Sequence, residues 1–374
     1  MKRFLSIIIC LALLSLTLVK ALASDLSIYA EKAVLYCADN GEIYYSKNEN
    51  KISKPASTTK IMTALLTLEY AEKNNKHVKF TEEMTAEGSS MYLKLGEVVT
   101  LRDLAVGIML CSGNDAANAA AISISGSKEK FARMMTRRAR EIGMKNTNFV
   151  NPSGLDDPDH YTTPYDMALL MAEALRNSDF RRLTMRKTAA VSFIKPKNKI
   201  TAYSNHNRLL STYRHCIGGK TGYTQAAGRC LVSAAKKDGL TLIAVTFNDK
   251  RDWEDHRAMF NYGFENYRMK ELDDREFFID VDTVSGKTAE TAVSCSDISC
   301  VVFKAEDCKK VKRKIYMDNF LYAPVKSGDK VGKIVYTLNN KRLAVHTLRA
   351  AANNNSYIEN KSIFAAGCAP ADNR

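Results

Sequence analysis

The sequence predicts an α/β (α+β) fold: an antiparallel sheet flanked by helices, followed by a small all-β domain. Three observations predict it. Segments with a broad apolar helical face recur up to about residue 268. Two apolar runs, Leu231 to Ala235 and Leu240 to Phe247, flank the turn Lys237-Asp238-Gly239 and read as paired strands. From about residue 270 the pattern turns short and β-like, with turns at Ser285-Gly286, Ser327-Gly328 and Asn339-Asn340. A chain of 374 residues has room for two or three domains.

The elements follow in order. Val34, Tyr36, Ile43 and Tyr45 alternate around Asp39-Asn40-Gly41, which predicts a hairpin over 34–46. Pro55 precedes an apolar-faced helix over 57–72. Thr100 to Ile108 and Asp115 to Ile124 read as helices broken at Ser112-Gly113-Asn114. Lys128 to Ile142, Thr163 to Arg176 and Asp255 to Asn266 read as further helices, the last packed on the sheet. In the second domain, residues 331–348 read as a hairpin. The domain spans 270–350, and 351–374 is an irregular tail.

The first residues are an address rather than part of the fold. Lys2 and Arg3 precede the apolar run Phe4 to Val19, and Ala21-Leu22-Ala23 is a cleavage signal. A spanning helix needs about 20 apolar residues, and Lys20 interrupts this run. The reading is a signal peptide over 1–23, hence export to the cell envelope. The first domain then covers 24–268.

The net charge is +14. In an exported protein this suits anionic envelope polymers or lipid headgroups. Nucleic acid is not a partner on this reading, because the Lys and Arg residues are scattered rather than gathered with aromatics. Of nine cysteines, Cys10 lies in the leader. The other eight form no C-x-x-C, so no metal site is expected and no cofactor is implied. One bridge among Cys295, Cys300 and Cys308, or free thiols throughout, are both compatible with the spacing.

The chemistry sits in three motifs. Ser-x-x-Lys occurs six times, so one tetrad alone proves nothing. Only Ser57-Thr58-Thr59-Lys60 opens a strongly apolar helix and precedes both Ser112-Gly113-Asn114 and Lys220-Thr221-Gly222. That ordered trio is the signature of active-site serine enzymes that react with penicillin. A helix N-terminus leaves the Ser57 N–H free and favours negative charge. Lys60, one turn on, shares a face with Ser57 and can serve as base if burial and Lys220 depress its pKa. Gly222 permits close backbone approach, Thr221 and Lys220 suit a carboxylate, and the Tyr223 N–H is a candidate oxyanion donor. A P-loop is rejected, because the required glycine position holds Arg214.

With these residues in view, the chain resembles the low-molecular-weight penicillin-binding proteins, the D-alanyl-D-alanine carboxypeptidases of serine peptidase family S11. PASTTKIMTALL, LCSGNDAANA, NPSGLDDPDHYTTPYDMA, NHNRLL and GGKTGYTQAAGRCLVSAA carry the resemblance along nearly the whole chain. It implies a β-lactamase/transpeptidase-like catalytic domain. Ser57, Lys60 and Ser112 would be catalytic; Asn114, Lys220, Thr221, Gly222 and Tyr223 would bind substrate. Arg251 would be a carboxylate-binding arginine, with an ordinary surface arginine as the alternative. His160 falls in the family loop near the site, where an ordinary exposed loop histidine is favoured over a catalytic one. Peptidoglycan stem peptides and β-lactam antibiotics would be the partners. The tail lacks the amphipathic period of a membrane anchor. The rivals are a D,D-endopeptidase with the same residues and a silent wall-associated protein. A β-lactamase is disfavoured, because SGLDDPDHY holds no glutamate.

Overall fold

The structure, a computed structural model, describes residues 26–356. The expected leader at 1–23 and the tail beyond 356 lie outside the described residues. The chain divides between Glu265 and Asn266 into two units.

In the first unit, β1 (Lys32–Cys37) and β2 (Ile43–Lys47) form the expected hairpin. The segment read as one helix over 57–72 is two pieces. A 3-10 turn, Ala56–Thr59, leads into α1 (Lys60–Lys73). The reason is local: Ala56 has φ +47°, and the Thr58 hydroxyl donates to Pro55 O at 2.6 Å. β3 (His77–Lys79) pairs with β4 (Val98–Thr100). α2 (Leu101–Met109) begins under a Thr100–Asp103 capping box. α3 (Asn114–Ser125) and α4 (Lys128–Ile142) stop at left-handed Gly126 and Gly143. α5 (Pro164–Arg176) has Thr163 as its cap and Pro164 at its first position. α6 (Ser178–Thr184), the hairpin β5 (Thr188–Ser192) and β6 (Ile200–Ser204), and the one-turn α7 (Leu209–Thr212) follow. β7 (Cys216–Thr224), β8 (Gly228–Lys237) and β9 (Leu240–Phe247) complete the sheet before α8 (Asp252–Asn266).

The central sheet runs β2-β1-β9-β8-β7, antiparallel throughout. Helices cover both faces, so β9 reads LTLIAVTF, a nearly unbroken apolar run. Val34, Tyr36, Ile243 and Val245 face the main helical core. Leu35 and Leu242 face α8, where Gly263 leaves them room: a Cβ there would lie 2.4 Å from Leu242 Cδ1. The edge strand β7 carries Lys220-Thr221-Gly222, as the sequence predicts.

The second unit is all-β, as expected. β10 (Tyr267–Asp273), β11 (Phe278–Val284), β12 (Glu290–Ser294), β13 (Ile298–Lys304), β14 (Lys312–Met317), β15 (Leu321–Tyr322), β16 (Lys330–Leu338) and β17 (Lys341–Ala350) make up its strands. They order as β14-β16-β17-β12-β11-β15 beside the pair β10-β13. Leu272, Val281, Val293, Ile334 and Leu348 fill its core. Ordered chain continues past 350: Asn354 bridges Val325, and its buried amide donates to Thr288 O at 3.0 Å. The expected tail therefore begins with residues tied to this unit. The seven described cysteines are free, Cys295 buried and Cys300 and Cys308 exposed.

A buried carboxylate organises this core. Asp274 accepts from Arg313 Nη2 at 2.8 Å and from Tyr336 Oη at 3.0 Å, and lies 2.6 Å from His346 Nδ1. Removing one partner of such a buried network leaves the others uncompensated. Asp274→Ala should lower the urea stability of the second unit by about 3–5 kcal/mol. A loss below about 1 kcal/mol would put the network in the class of exposed ion pairs.

Candidate active site

The site grows from the turn before α1. Ser57 lies in the 3-10 turn, and the loop 151–160 clamps that turn from outside. Asn151 Oδ1 accepts from the N–H groups of Ser153 and Gly154, a side chain standing in for a backbone turn. Gly154 has φ +83°, and a Cβ there would fall 1.9 Å from Ala56 O, so only glycine fits. His160 is not the exposed loop histidine expected from sequence: it is 2% exposed. Burial pushes its pKa down to about 4, so it is neutral. Its Nδ1 accepts from Val150 N–H at 3.3 Å, which leaves Nε2–H to donate to Thr59 Oγ1 at 2.9 Å. His160 holds the turn.

Lys60, on the first turn of α1, is fully buried. Its Nζ lies 3.0 Å from Ser57 Oγ, 2.6 Å from Asn114 Oδ1 and 2.6 Å from Ser153 O. Burial, and then the nearby charge of Lys220, hold its pKa well below the ordinary lysine value. A neutral amine has two N–H groups and one lone pair. Asn114 Oδ1 and the Ser153 carbonyl can only accept, so they take the two hydrogens. The lone pair is left facing the Ser57 hydroxyl.

The break between α2 and α3 supplies the second motif. Ser112 has φ +60°, a strained conformation for a residue with a side chain, and is buried with Asn114. Asn114 opens α3; its N–H donates to Ser89 O at 2.7 Å and its Nδ2 to Glu87 O at 2.6 Å. Among the described residues, no hydrogen bond joins Ser112 to Ser57 or Lys60. Asp115, which the sequence reading did not single out, orders the adjoining loop: its oxygens accept from Met91 N–H at 2.8 Å and Leu93 N–H at 3.1 Å. Ser153 was likewise missed. The Asn-Pro-Ser-Gly turn signal could have located it, though not its carbonyl's target.

Strand β7 forms the opposite wall. Lys220 is 2% exposed, donates to Thr221 O at 2.8 Å, and is depressed by burial to about 7. Gly222 packs on the nucleophile turn itself: a Cβ would lie 2.9 Å from Ser57 N and 3.1 Å from Ala56 Cβ. Its role is thus chain against chain, whereas the sequence suggested substrate approach. Tyr223 is exposed, and the Thr224 hydroxyl donates to Asp156 at 2.9 Å, tying the strand to the 151–160 loop. Arg251 stands outside the bonded cluster; it is exposed, and its Nε donates to Glu254 at 2.6 Å.

A family model described as D-alanyl-D-alanine carboxypeptidase matches residues 19–251. The chain belongs to the D-alanyl-D-alanine carboxypeptidase family. A second model, penicillin-binding protein 5 C-terminal domain, matches residues 270–355, consistent with an ordered chain past 350. The chain is 35% identical to D-alanyl-D-alanine carboxypeptidase DacF of Bacillus subtilis, over 86% of this chain and 85% of that one. It is 31% identical to DacC of Escherichia coli, over 85% and 82%. Among solved structures it is similar to penicillin-binding protein 5 of Haemophilus influenzae, with TM-score 0.67, 27% identity, and coverage of 88% of this chain and 98% of that one. The Streptomyces K15 DD-transpeptidase matches with TM-score 0.60, 30% identity, and coverage of 64% and 98%. These likenesses establish the mixed helix-and-sheet peptidase unit and the separate β domain of this family member.

Two outcomes follow from the geometry. Gly222→Ala should displace the Ser57 turn and slow acylation by a penicillin by up to roughly 100-fold, the loss that a misplacement of about 1 Å brings. An unchanged rate would show that the contact is slack. Between about pH 7 and the ordinary lysine value of 10.5, the unfolded chain keeps a proton that folded Lys220 has released. Stability gained from this group therefore rises with pH across that window. Subtracting the pH–stability curve of Lys220→Met from that of the wild type should give a rising difference; a flat one would mean Lys220 is not depressed.

Proposed function

We propose that this chain is a serine-type D-Ala-D-Ala carboxypeptidase that removes the terminal D-alanine of peptidoglycan stem peptides through an acyl-enzyme on Ser57. The observation that carries it is the buried Lys60 amine, 3.0 Å from Ser57 Oγ and 2.6 Å from each of two obligate acceptors, Asn114 Oδ1 and Ser153 O; as a neutral amine it would turn its lone pair to the Ser57 hydroxyl. Family membership supports the same reading.

The mechanism follows from these groups. Ser57 Oγ attacks the carbonyl carbon between the two D-alanines while its proton passes to Lys60 Nζ. As an ammonium, Lys60 then has three N–H groups for its three acceptors, so protonation breaks no contact. The N–H groups of Ser57 and Tyr223 hold the oxyanion, a role supported by the tight fit of Gly222 on Ser57 N. The C–N bond breaks as the Lys60 ammonium passes its proton by way of Ser112 to the departing amine, which returns Lys60 to its neutral form. Water adds to the ester, and Ser57 regains its proton. Lys220 and Thr221 hold the terminal carboxylate, whose charge favours the protonated form of Lys220. A β-lactam acylates Ser57 by the same first step. Arg251, exposed and beyond the cluster, is assigned to the outer reach of the carboxylate end. Similarity to a structure called a DD-transpeptidase supports a second acceptor, an amine in place of water.

Export rests on the leader read from the sequence; no helix among the described residues is long and apolar enough to cross a membrane. The basic charge is our ground for contact with anionic envelope polymers. The D-Ala-D-Ala assignment is tested with a stem pentapeptide. The wild type should release free D-alanine, and Ser57→Ala should release none and lose labelling by a fluorescent penicillin. Labelling that persists in Ser57→Ala would remove Ser57 as the nucleophile. Cleavage of crosslinked dimers without D-alanine release would make the enzyme an endopeptidase.

A further inference from the structure

Tyr92 is an anomaly beside the site. It is 80% exposed, the extreme among the large exposed hydrophobic side chains of the described residues. Its φ is +60°, a conformation that a bulky L-residue adopts only when its surroundings force it. Those surroundings are the site's own residues. Asn114 N–H and Nδ2 take Ser89 O and Glu87 O, while the Asp115 carboxylate takes the N–H groups on either side, Met91 and Leu93. Ser90 Oγ donates to Asp115 at 2.7 Å and accepts from Tyr92 N–H at 2.7 Å. Tyr203 Oη closes the loop on Met91 O at 2.9 Å. Every one of these bonds uses backbone or a neighbour's side chain, and none needs a tyrosine ring at 92. Glycine or asparagine would satisfy the backbone at less strain. A strained, rigidly mounted, exposed aromatic at a site edge is better explained by what it binds than by what it stabilises.

We propose that Tyr92 is a specificity residue. Its ring packs against the part of the stem peptide that precedes the two D-alanines, an extended segment of aliphatic and amide groups. This rests on the D-Ala-D-Ala reading above, in which groups around Ser57 account for the two terminal residues. Asn114 links the two regions, because it holds both Lys60 and the loop that carries Tyr92.

The test compares two substrates and three variants. For D-alanine release from a stem pentapeptide, Tyr92→Ala and Tyr92→Gly should raise KM about tenfold with kcat held within about twofold, and Tyr92→Phe should behave as wild type. With N-acetyl-D-Ala-D-Ala, which lacks the upstream segment, and with penicillin acylation, no variant should differ from wild type. Tyr92→Gly should keep or raise the Tm, since it relieves the strained φ. Equal losses on both substrates, a fall in Tm, or an unchanged pentapeptide KM would overturn the proposal. If the wild type itself released no D-alanine while penicillin still labelled Ser57, the substrate assignment of the preceding subsection would be what fails.

Discussion

Placing the Lys60 amine in a dry site is the constraint around which the catalytic unit is arranged. A charged ammonium without solvent is strongly disfavoured, so the group is poised towards neutrality. Neutrality alone makes a base; direction makes it a base for one hydroxyl. Direction comes from Asn114 and Ser153, two acceptors 2.6 Å away that absorb both amine hydrogens. Lys220 adds a like charge from the facing strand and also pays the desolvation penalty, which leaves it at about 7.

The rest of the unit reads as the apparatus that keeps this geometry. The Ser57 turn is gripped by Gly154 and His160 on one side and Gly222 on the other. Positive φ at Ala56 and Ser112 places strain at both the nucleophile turn and the second motif. Strain of this kind persists only where surrounding contacts over-determine it. Here those contacts are the sheet edge at β7, the Asn151 turn and the start of α3. The antiparallel sheet, covered on both faces, is the rigid body against which they are referenced.

Much of this was legible in the sequence. The strand pair β8–β9, the helices α4 and α5 and the β domain announced themselves by periodicity and turn residues. Ser57, Lys60, Asn114 and Lys220 were legible through the order of three motifs, and the structure brings their elements together. What stayed hidden depends on long-range contact. Ser153 acts through a backbone carbonyl, which no residue type reveals. Asp115 and His160 are buried by loops whose paths local patterns do not encode. The 3-10 turn at Ala56–Thr59 was read as α-helix because its apolar face continues into α1, and the strained φ of Ala56 leaves no compositional mark. The short pairing of Asn354 with Val325 had no periodic signal either.

The central claim is that Lys60 is a neutral amine in the resting enzyme. Selective isotopic labelling of lysine, with Lys60 assigned by comparison with Lys60→Arg, permits an NMR titration of its side-chain nitrogen in the unliganded protein. The account predicts a titration well below the ordinary lysine value of 10.5. An ammonium shift that persists to about pH 10, in line with unperturbed lysine, would contradict it and would require another group to take the Ser57 proton.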